Sequence, residues 1–250
     1  MASSSDVAYR HKLYEKYFSH QVKRADAENL AAQLAAEFPQ LKADLQAWLP
    51  ASLNSRILDI GCGYGNALLW LQEQGYTHLS GIDLSPEQVA TAQSLGLSDV
   101  QCADAFTYLA ELPPDARFDF ILLFDVIEHL SKSELLQLLQ SIRARLSPQG
   151  RAIFRTPNMD APLTSVYAYG DYTHETLLNS RSAAQLASSA GFGSVQVVES
   201  PLVVRGWLKS LGQSLSFVLL RVVLRWVLFA TARSSKGVLL TPNMLIVVAH

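Results

Sequence analysis

Ile57-Leu58-Asp59-Ile60-Gly61-Cys62-Gly63-Tyr64-Gly65 runs an apolar strand into three glycines at alternate positions, and a helix-forming stretch, Ala67 to Gln74, follows at once. Such a loop offers bare backbone for a bulky ligand to lie against, where a Cβ would intrude. It also opens a helix whose first N–H groups have no partner inside the helix. The next apolar stretch ends in Gly81-Ile82-Asp83-Leu84. An acid at the end of a second strand is placed to accept hydrogen bonds from both ribose hydroxyls of a nucleoside. The pattern predicts an open α/β sheet with a nucleoside cofactor at the carboxyl ends of its strands.

The spacing bears on which cofactor. Dinucleotides favour G-x-G-x-x-G, with pyrophosphate at the helix N-terminus. Here the glycines are spaced G-x-G-x-G and preceded by Asp59, whose carboxylate repels pyrophosphate and suits an ammonium group. An NAD-dependent oxidoreductase is further disfavoured because no evident Tyr-x-x-x-Lys accompanies the loop. The string from Asp59 through Gly61, Cys62, Gly63 and Gly65 resembles the first motif of class I S-adenosylmethionine-dependent methyltransferases. Further positions match that family in order: Asp83 with Leu84 beside it, Asp104-Ala105 after a third strand, Phe124-Asp125-Val126 at the end of a fourth, and Pro148-x-Gly150 before a fifth. The resemblance covers roughly residues 55–200. It implies a Rossmann-like, doubly wound sheet of seven mostly parallel strands with the last one antiparallel. It implies S-adenosylmethionine as cofactor. Its ribose would lie on Asp83, its adenine near Asp104 and Ala105, and its methionine part beside Asp59 and the Phe124–Val126 corner.

The rest of the chain is consistent with one such domain. It has 250 residues, 49% of them hydrophobic and 17% charged, with a net charge of −2. These values predict a globular protein, and with no basic block they argue against nucleic acid as a partner. Two cysteines, Cys62 and Cys102, suggest neither a disulfide framework nor a zinc site. Met1 to Asp6 is polar and has no leader-like apolar stretch, so a cytoplasmic protein is expected. Residues 6–50 read as an N-terminal helical cap. Strands and helices then alternate: strand 56–60, helix 66–74, strand 78–83, helix 86–95, strand 99–102, a short helix from Ala105, strand 118–124, helix 132–146 and strand 151–155. Phe118 to Phe124 is nearly all apolar, as a central parallel strand should be. After an irregular aromatic segment to about Asn179 come helix 181–190, strand 194–199, a long helix over 203–232 and a last strand over 243–249.

Candidates for chemistry follow the fourth and fifth strands. Asp125-Val126-Ile127-Glu128-His129 lies at the predicted rim, and Asp171-Tyr172-Thr173-His174-Glu175 lies in the segment able to fold over it. An acceptor hydroxyl needs a base or a metal to become a nucleophile. His174 is the expected base, with His129, Glu128 and Asp171 as further catalytic candidates and no metal assigned. His11, His20, His78 and His250 have no comparable surroundings. D-x-T-H-E resembles a segment of bacterial methyltransferases of surface polysaccharide and glycolipid assembly. The order Asp125, Glu128, His129, His174 also resembles the metal-binding set of small-RNA 2′-O-methyltransferases, which leaves a metal-dependent RNA enzyme as an alternative. A non-catalytic, cofactor-binding regulatory subunit is another. The leading expectation is methyl transfer to an oxygen of a sugar or small hydroxylated molecule.

From Trp207 to Ala230 one wide apolar face gathers Leu208, Leu211, Leu215, Val218, Leu219, Val222, Trp226 and Phe229, with Lys209, Gln213, Ser214, Arg221 and Arg225 on the other side. A membrane span is disfavoured, since each central Arg costs ~2.5–3.5 kcal/mol. The face is expected to meet the domain, a second copy in a homodimer, or the inner surface of a membrane as a peripheral contact.

Overall fold

The computed structural model describes residues 27–204, 206–232, 234 and 236–250. The part of the expected N-terminal cap before Ala27, with His11 and His20, lies outside the described residues. Helix α1 (Ala27–Leu45) leads to β1 (Arg56–Ile60), α2 (Asn66–Glu73), β2 (His78–Asp83), α3 (Pro86–Ser94), β3 (Val100–Cys102), α4 (Ala105–Glu111) and β4 (Phe118–Phe124). A 3-10 turn at Ile127–His129 precedes α5 (Lys132–Arg145) and β5 (Leu146–Pro157). Then come α6 (Thr164–Ala168), α7 (Ser180–Ser189), β6 (Ser194–Glu199), α8 (Trp207–Ala230) and β7 (Asn243–Ala249).

All seven strands form one sheet in the order β3-β2-β1-β4-β5-β7-β6. The first five in the chain pair in parallel, and β7 is antiparallel to both β5 and β6. The order reverses between β1 and β4, and open α/β sheets bind ligands at such a switch point. Strand β4 shows why the sheet is central. Ile121 and Leu123 enter the core under α4, α5 and α7, while Phe120 and Leu122 enter the opposite core under α1 and α2. All four are fully buried, and each such side chain contributes about 1.5–3 kcal/mol relative to exposure. Burial on both faces explains the unbroken apolar run.

Helix starts follow local chemistry. Ser85 caps α3, with Pro86 at its first position, and Ser131 with Glu134 forms a reciprocal capping box on α5. The start of β5 differs from expectation. Ser147-Pro148-Gln149-Gly150 reads as a turn, yet Leu146 already pairs with Phe118, and an irregularity then shifts the register before Arg151 pairs with Phe120. The sheet edge extends past the turn residues because Leu146 is buried against β4. The long helix is also shorter than expected, Trp207–Ala230 instead of 203–232.

Candidate active site

The glycine loop is clipped to β2. The amides of Gly61 and Cys62 donate to the Ile82 carbonyl at 2.8 and 3.0 Å, and the Gly63 amide donates to Asp83 Oδ2 at 2.9 Å. Asp83 Oδ1 accepts from the Ser85 amide at 2.8 Å. One carboxylate thus joins the loop to the start of α3. Burial raises the Asp83 pKa and these amides oppose that shift. Gly65 is demanded by packing: its φ is +79°, and a Cβ there would lie 2.1 Å from Leu97 Cδ1. Gly63 is favoured by its backbone conformation and not by packing. Its φ is +56°, but a Cβ would meet nothing nearer than the end of Gln88 at 3.6 Å, so the space it leaves open belongs to the cavity.

That cavity has a volume of about 720 Å³ and sits over the switch point. Its lining includes Gly61, Gly63, Asp83, Leu84, Asp104, Ala105, Asp125, Val126 and His129. The apolar walls come from Ile60, Ile82, Phe106, Leu130 and Leu138. Asp104 also caps α4 through Oδ1, 3.0 Å from the Thr107 amide.

Asp59, Cys62, Gly65 and Phe124 are not part of the lining. Asp59 lies beneath the loop, where burial first and the Asp83 charge second push its carboxyl up to about 7. Cys62 packs in the core between α2 and α3, and burial pushes its thiol far above the ordinary range, which makes it inert. Phe124 supports the Arg155 guanidinium, 4.6 Å from the ring centre. Arg155 pairs with Asp125 and, at 3.3 Å, with the fully buried Asp44 of α1. Burial disfavours its charge, but Asp125 and Asp44 outweigh that and hold it ionised. Asp125 carries a φ of +56°, a conformation unusual for a residue with a Cβ. The Arg155 pair and the bond from the Asp125 amide to the Arg155 carbonyl at 3.0 Å pin this corner.

Beyond the corner, the two histidines meet. The rings of His129 and His174 are 4.8 Å apart at an interplanar angle of 65°. His174 Nδ1 is 2.7 Å from the Ala168 carbonyl, which only accepts, so Nδ1 carries the proton and Nε2 the lone pair. The Thr173 hydroxyl donates to Asp171 Oδ1 at 2.6 Å, and Thr173 Oγ1 lies 2.9 Å from His129 Nδ1. With its own proton committed, Thr173 accepts from His129 Nδ1–H, and Nε2 again bears the lone pair. Burial, with His174 second, pulls the His129 pKa below its ordinary value. Asp171 therefore reaches His129 through Thr173, and neither Asp171 nor His174 is part of the cavity lining.

Glu128 is buried beneath the rim and does not line the cavity. Burial and the Asp125 charge push its carboxyl up to about 8, and the Thr156 hydroxyl donates to it at 3.0 Å. Its backbone carbonyl accepts from the Glu175 and Thr176 amides at 2.7 and 3.0 Å, which draws the segment bearing His174 onto the turn bearing His129. Ligand atoms of Glu128, His129 and His174 lie within 4.8 Å of one another. Sequence reading singled out neither Thr173 as a link nor Arg155 as a brace. Thr173 stands inside the quoted D-x-T-H-E string, whereas Arg155 carries no local signal.

A family model described as "Methyltransferase domain" matches residues 18–197. The chain belongs to this family, the class I S-adenosylmethionine-dependent methyltransferases. Ajmaline N-methyltransferase of Rauvolfia serpentina is 36% identical over 89 residues, covering 34% of this chain and 31% of that one. A probable (S)-tetrahydroprotoberberine N-methyltransferase of Papaver bracteatum is 33% identical over 132 residues, 50% of this chain and 33% of that one. The ubiquinone biosynthesis O-methyltransferase of Rickettsia akari is 28% identical over 123 residues, 49% and 47%. The chain spans between about a third and a half of the length of these curated relatives. In fold it is similar to a SAM-dependent methyltransferase from Archaeoglobus fulgidus, with a TM-score of 0.60 at 22% identity over 96% of this chain and 99% of that one. Human N-acetylserotonin methyltransferase, solved with its methyl donor, gives a TM-score of 0.58 at 18% identity over 89% and 54%.

The cofactor is S-adenosylmethionine, and the residues present fit it. The opening at Gly63 is a cradle that a Cβ would narrow, the Asp83 carboxylate lines the cavity, and the apolar walls suit an adenine ring.

Proposed function

We propose that this protein transfers a methyl group from S-adenosylmethionine to an oxygen of a sugar or another small hydroxylated acceptor in the cytoplasm. The observation that carries this reading is the histidine pair, in which His129 lines the cavity, His174 lies behind it with its ring 4.8 Å away, and the Ala168 carbonyl holds the proton of His174 on Nδ1 and so leaves Nε2 as the basic nitrogen. An amine that reaches the site unprotonated needs no such base, while a hydroxyl does.

The cofactor supplies an electrophilic methyl carbon on sulfur. The chain's own residues do the rest. Asp83, held by the Gly63 and Ser85 amides, accepts from the ribose, and Asp104 is placed for the adenine amine. Asp59 and Asp83 favour bound positive charge. His174 would take the acceptor's proton on Nε2 as the acceptor oxygen is methylated. Burial keeps His129 neutral, and it lines the cavity where it can orient the acceptor. Thr173 and Asp171 hold it in the required tautomer.

His174→Ala should cut turnover ~10²-fold or more with little change in cofactor affinity. The measurement is S-adenosylhomocysteine formation against paired panels of hydroxyl and amine acceptors. Full activity in that variant removes His174 from the mechanism, and turnover of amines alone overturns the oxygen assignment.

A divalent ion held by Glu128, His129 and His174 is a second reading, favoured by their proximity and by the anchored imidazole N–H groups. Binding there requires Glu128 to lose its proton, so metal affinity should rise with pH up to about 8. Activity abolished by a chelator and restored by magnesium or manganese would establish this version. Indifference to the chelator would exclude it.

A further inference from the structure

Helix α8 touches the domain along one narrow strip. Arg221 pairs with Glu199 and stacks 5.0 Å over Phe217, while Leu220, Leu224 and Leu228 are half-buried. None of its 24 residues is buried. The opposite face presents Leu211, Leu215, Leu219, Val222, Trp226 and Phe229 to solvent, between 53% and 81% exposed. A patch of this kind marks an interaction surface.

The charge of this stretch of the sequence is one-sided. From Ser200 to His250 the chain carries six cationic residues, Arg205, Lys209, Arg221, Arg225, Arg233 and Lys236, and no acid, whereas all 22 acids precede it. A second copy docking on this face would bring like charge against like charge. An anionic bilayer meets both the apolar face and the cations.

Topology adds a direction. Both β5 and β6 run antiparallel to β7, so β6 ends at the same edge as the cofactor cavity, and α8 springs from that edge. The chain leaving α8 is tied to the segment bearing His174. Asn158 Nδ2 donates to the carbonyls of Leu239 and Thr241 at 3.0 and 2.9 Å, and Ser180 Oγ donates to that of Gly237 at 3.1 Å. Among the described residues α8 is the one helix long and apolar enough to cross a bilayer. Its fixed inner strip and two mid-helix arginines hold it along the surface instead.

We propose that the outer face of α8 seats in the interface of an anionic membrane and lays the active-site edge against the lipid, where a lipid-linked hydroxylated acceptor is presented. The seating itself does not depend on the methyl-transfer reading.

Flotation of the full chain tests it, with vesicles of phosphatidylcholine alone and of phosphatidylcholine mixed with phosphatidylglycerol. The wild type should float with the mixed vesicles. Leu219→Glu/Trp226→Glu should lower the bound fraction about tenfold or more, and Lys209→Glu/Arg225→Glu should do so by about tenfold at low salt. Unchanged S-adenosylhomocysteine affinity in both variants shows that the domain is intact. Failure of the wild type to float, or flotation indifferent to both variants, overturns the proposal. So does a dimer in sedimentation that Leu219→Glu/Trp226→Glu dissolves while no vesicle binding is seen.

Discussion

Thr173 shows how much a single hydroxyl decides. Its proton goes to Asp171, so its oxygen must receive the His129 Nδ1 proton, which fixes the tautomer of a residue that lines the cavity. Thr173→Val keeps the shape and removes the link. Turnover should fall by ~10-fold or more while cofactor affinity holds, and Thr173→Ser should restore it. Steady-state kinetics beside direct binding would separate this from a folding defect, which would lower both. Asp59 gives a prediction in pH. Its folded value, about 7, lies above its ordinary 3.8. A raised value means the folded state holds the proton more tightly. The favourable contribution is therefore full below about 4 and is lost as pH rises through about 7. Asp59→Asn should flatten the stability profile across that window, read as denaturant midpoints at a series of pH values. An unchanged slope would place the coupling elsewhere.

At the scale of elements, the loop glycines separate into two kinds. Gly65→Ala places a Cβ against Leu97 at φ +79° and should destabilise the protein by about 1–3 kcal/mol in thermal or denaturant unfolding. Gly63→Ala puts a Cβ only in ordinary contact with Gln88, 3.6 Å away, so it bears the strain of φ +56° without a clash and should cost less stability than Gly65→Ala while weakening cofactor binding. Equal loss of stability in the two would contradict this division. Much of the element order was legible in the sequence. β1, β2, β4, β6 and β7 fall where alternation of apolar runs and turn residues put them. What escaped depended on partners distant in the chain. β5 begins early because Leu146 finds Phe118. The two sides of α8 were assigned by periodicity, with Gln213 and Arg221 on the polar side. Yet these two, with Phe217, Leu220, Leu224 and Leu228, form the strip nearest the domain, while the wider apolar face points outward. A helix with two apolar stripes does not reveal which one the fold will use.

Across the whole molecule, charge is divided between an acidic first four-fifths, which carries the cofactor site, and a cationic end that bears the outward apolar face of α8. The cofactor half of the site was readable because glycines and acids at strand ends are local signals. The catalytic half was readable only as a list of residues. The hydrogen bonds joining Glu128 to Glu175 and Thr176, and the brace from Asp44 through Arg155 to Asp125, link segments far apart in sequence and emerge only on folding. The central claim is that the cavity at the switch point is built for S-adenosylmethionine, with the ribose on Asp83. Titration calorimetry with S-adenosylhomocysteine tests it most directly. Wild type should bind, and Asp83→Ala should bind at least ~10-fold more weakly through loss of charge-assisted hydrogen bonds. Binding of NAD without binding of S-adenosylhomocysteine, or an affinity indifferent to Asp83, would contradict the account.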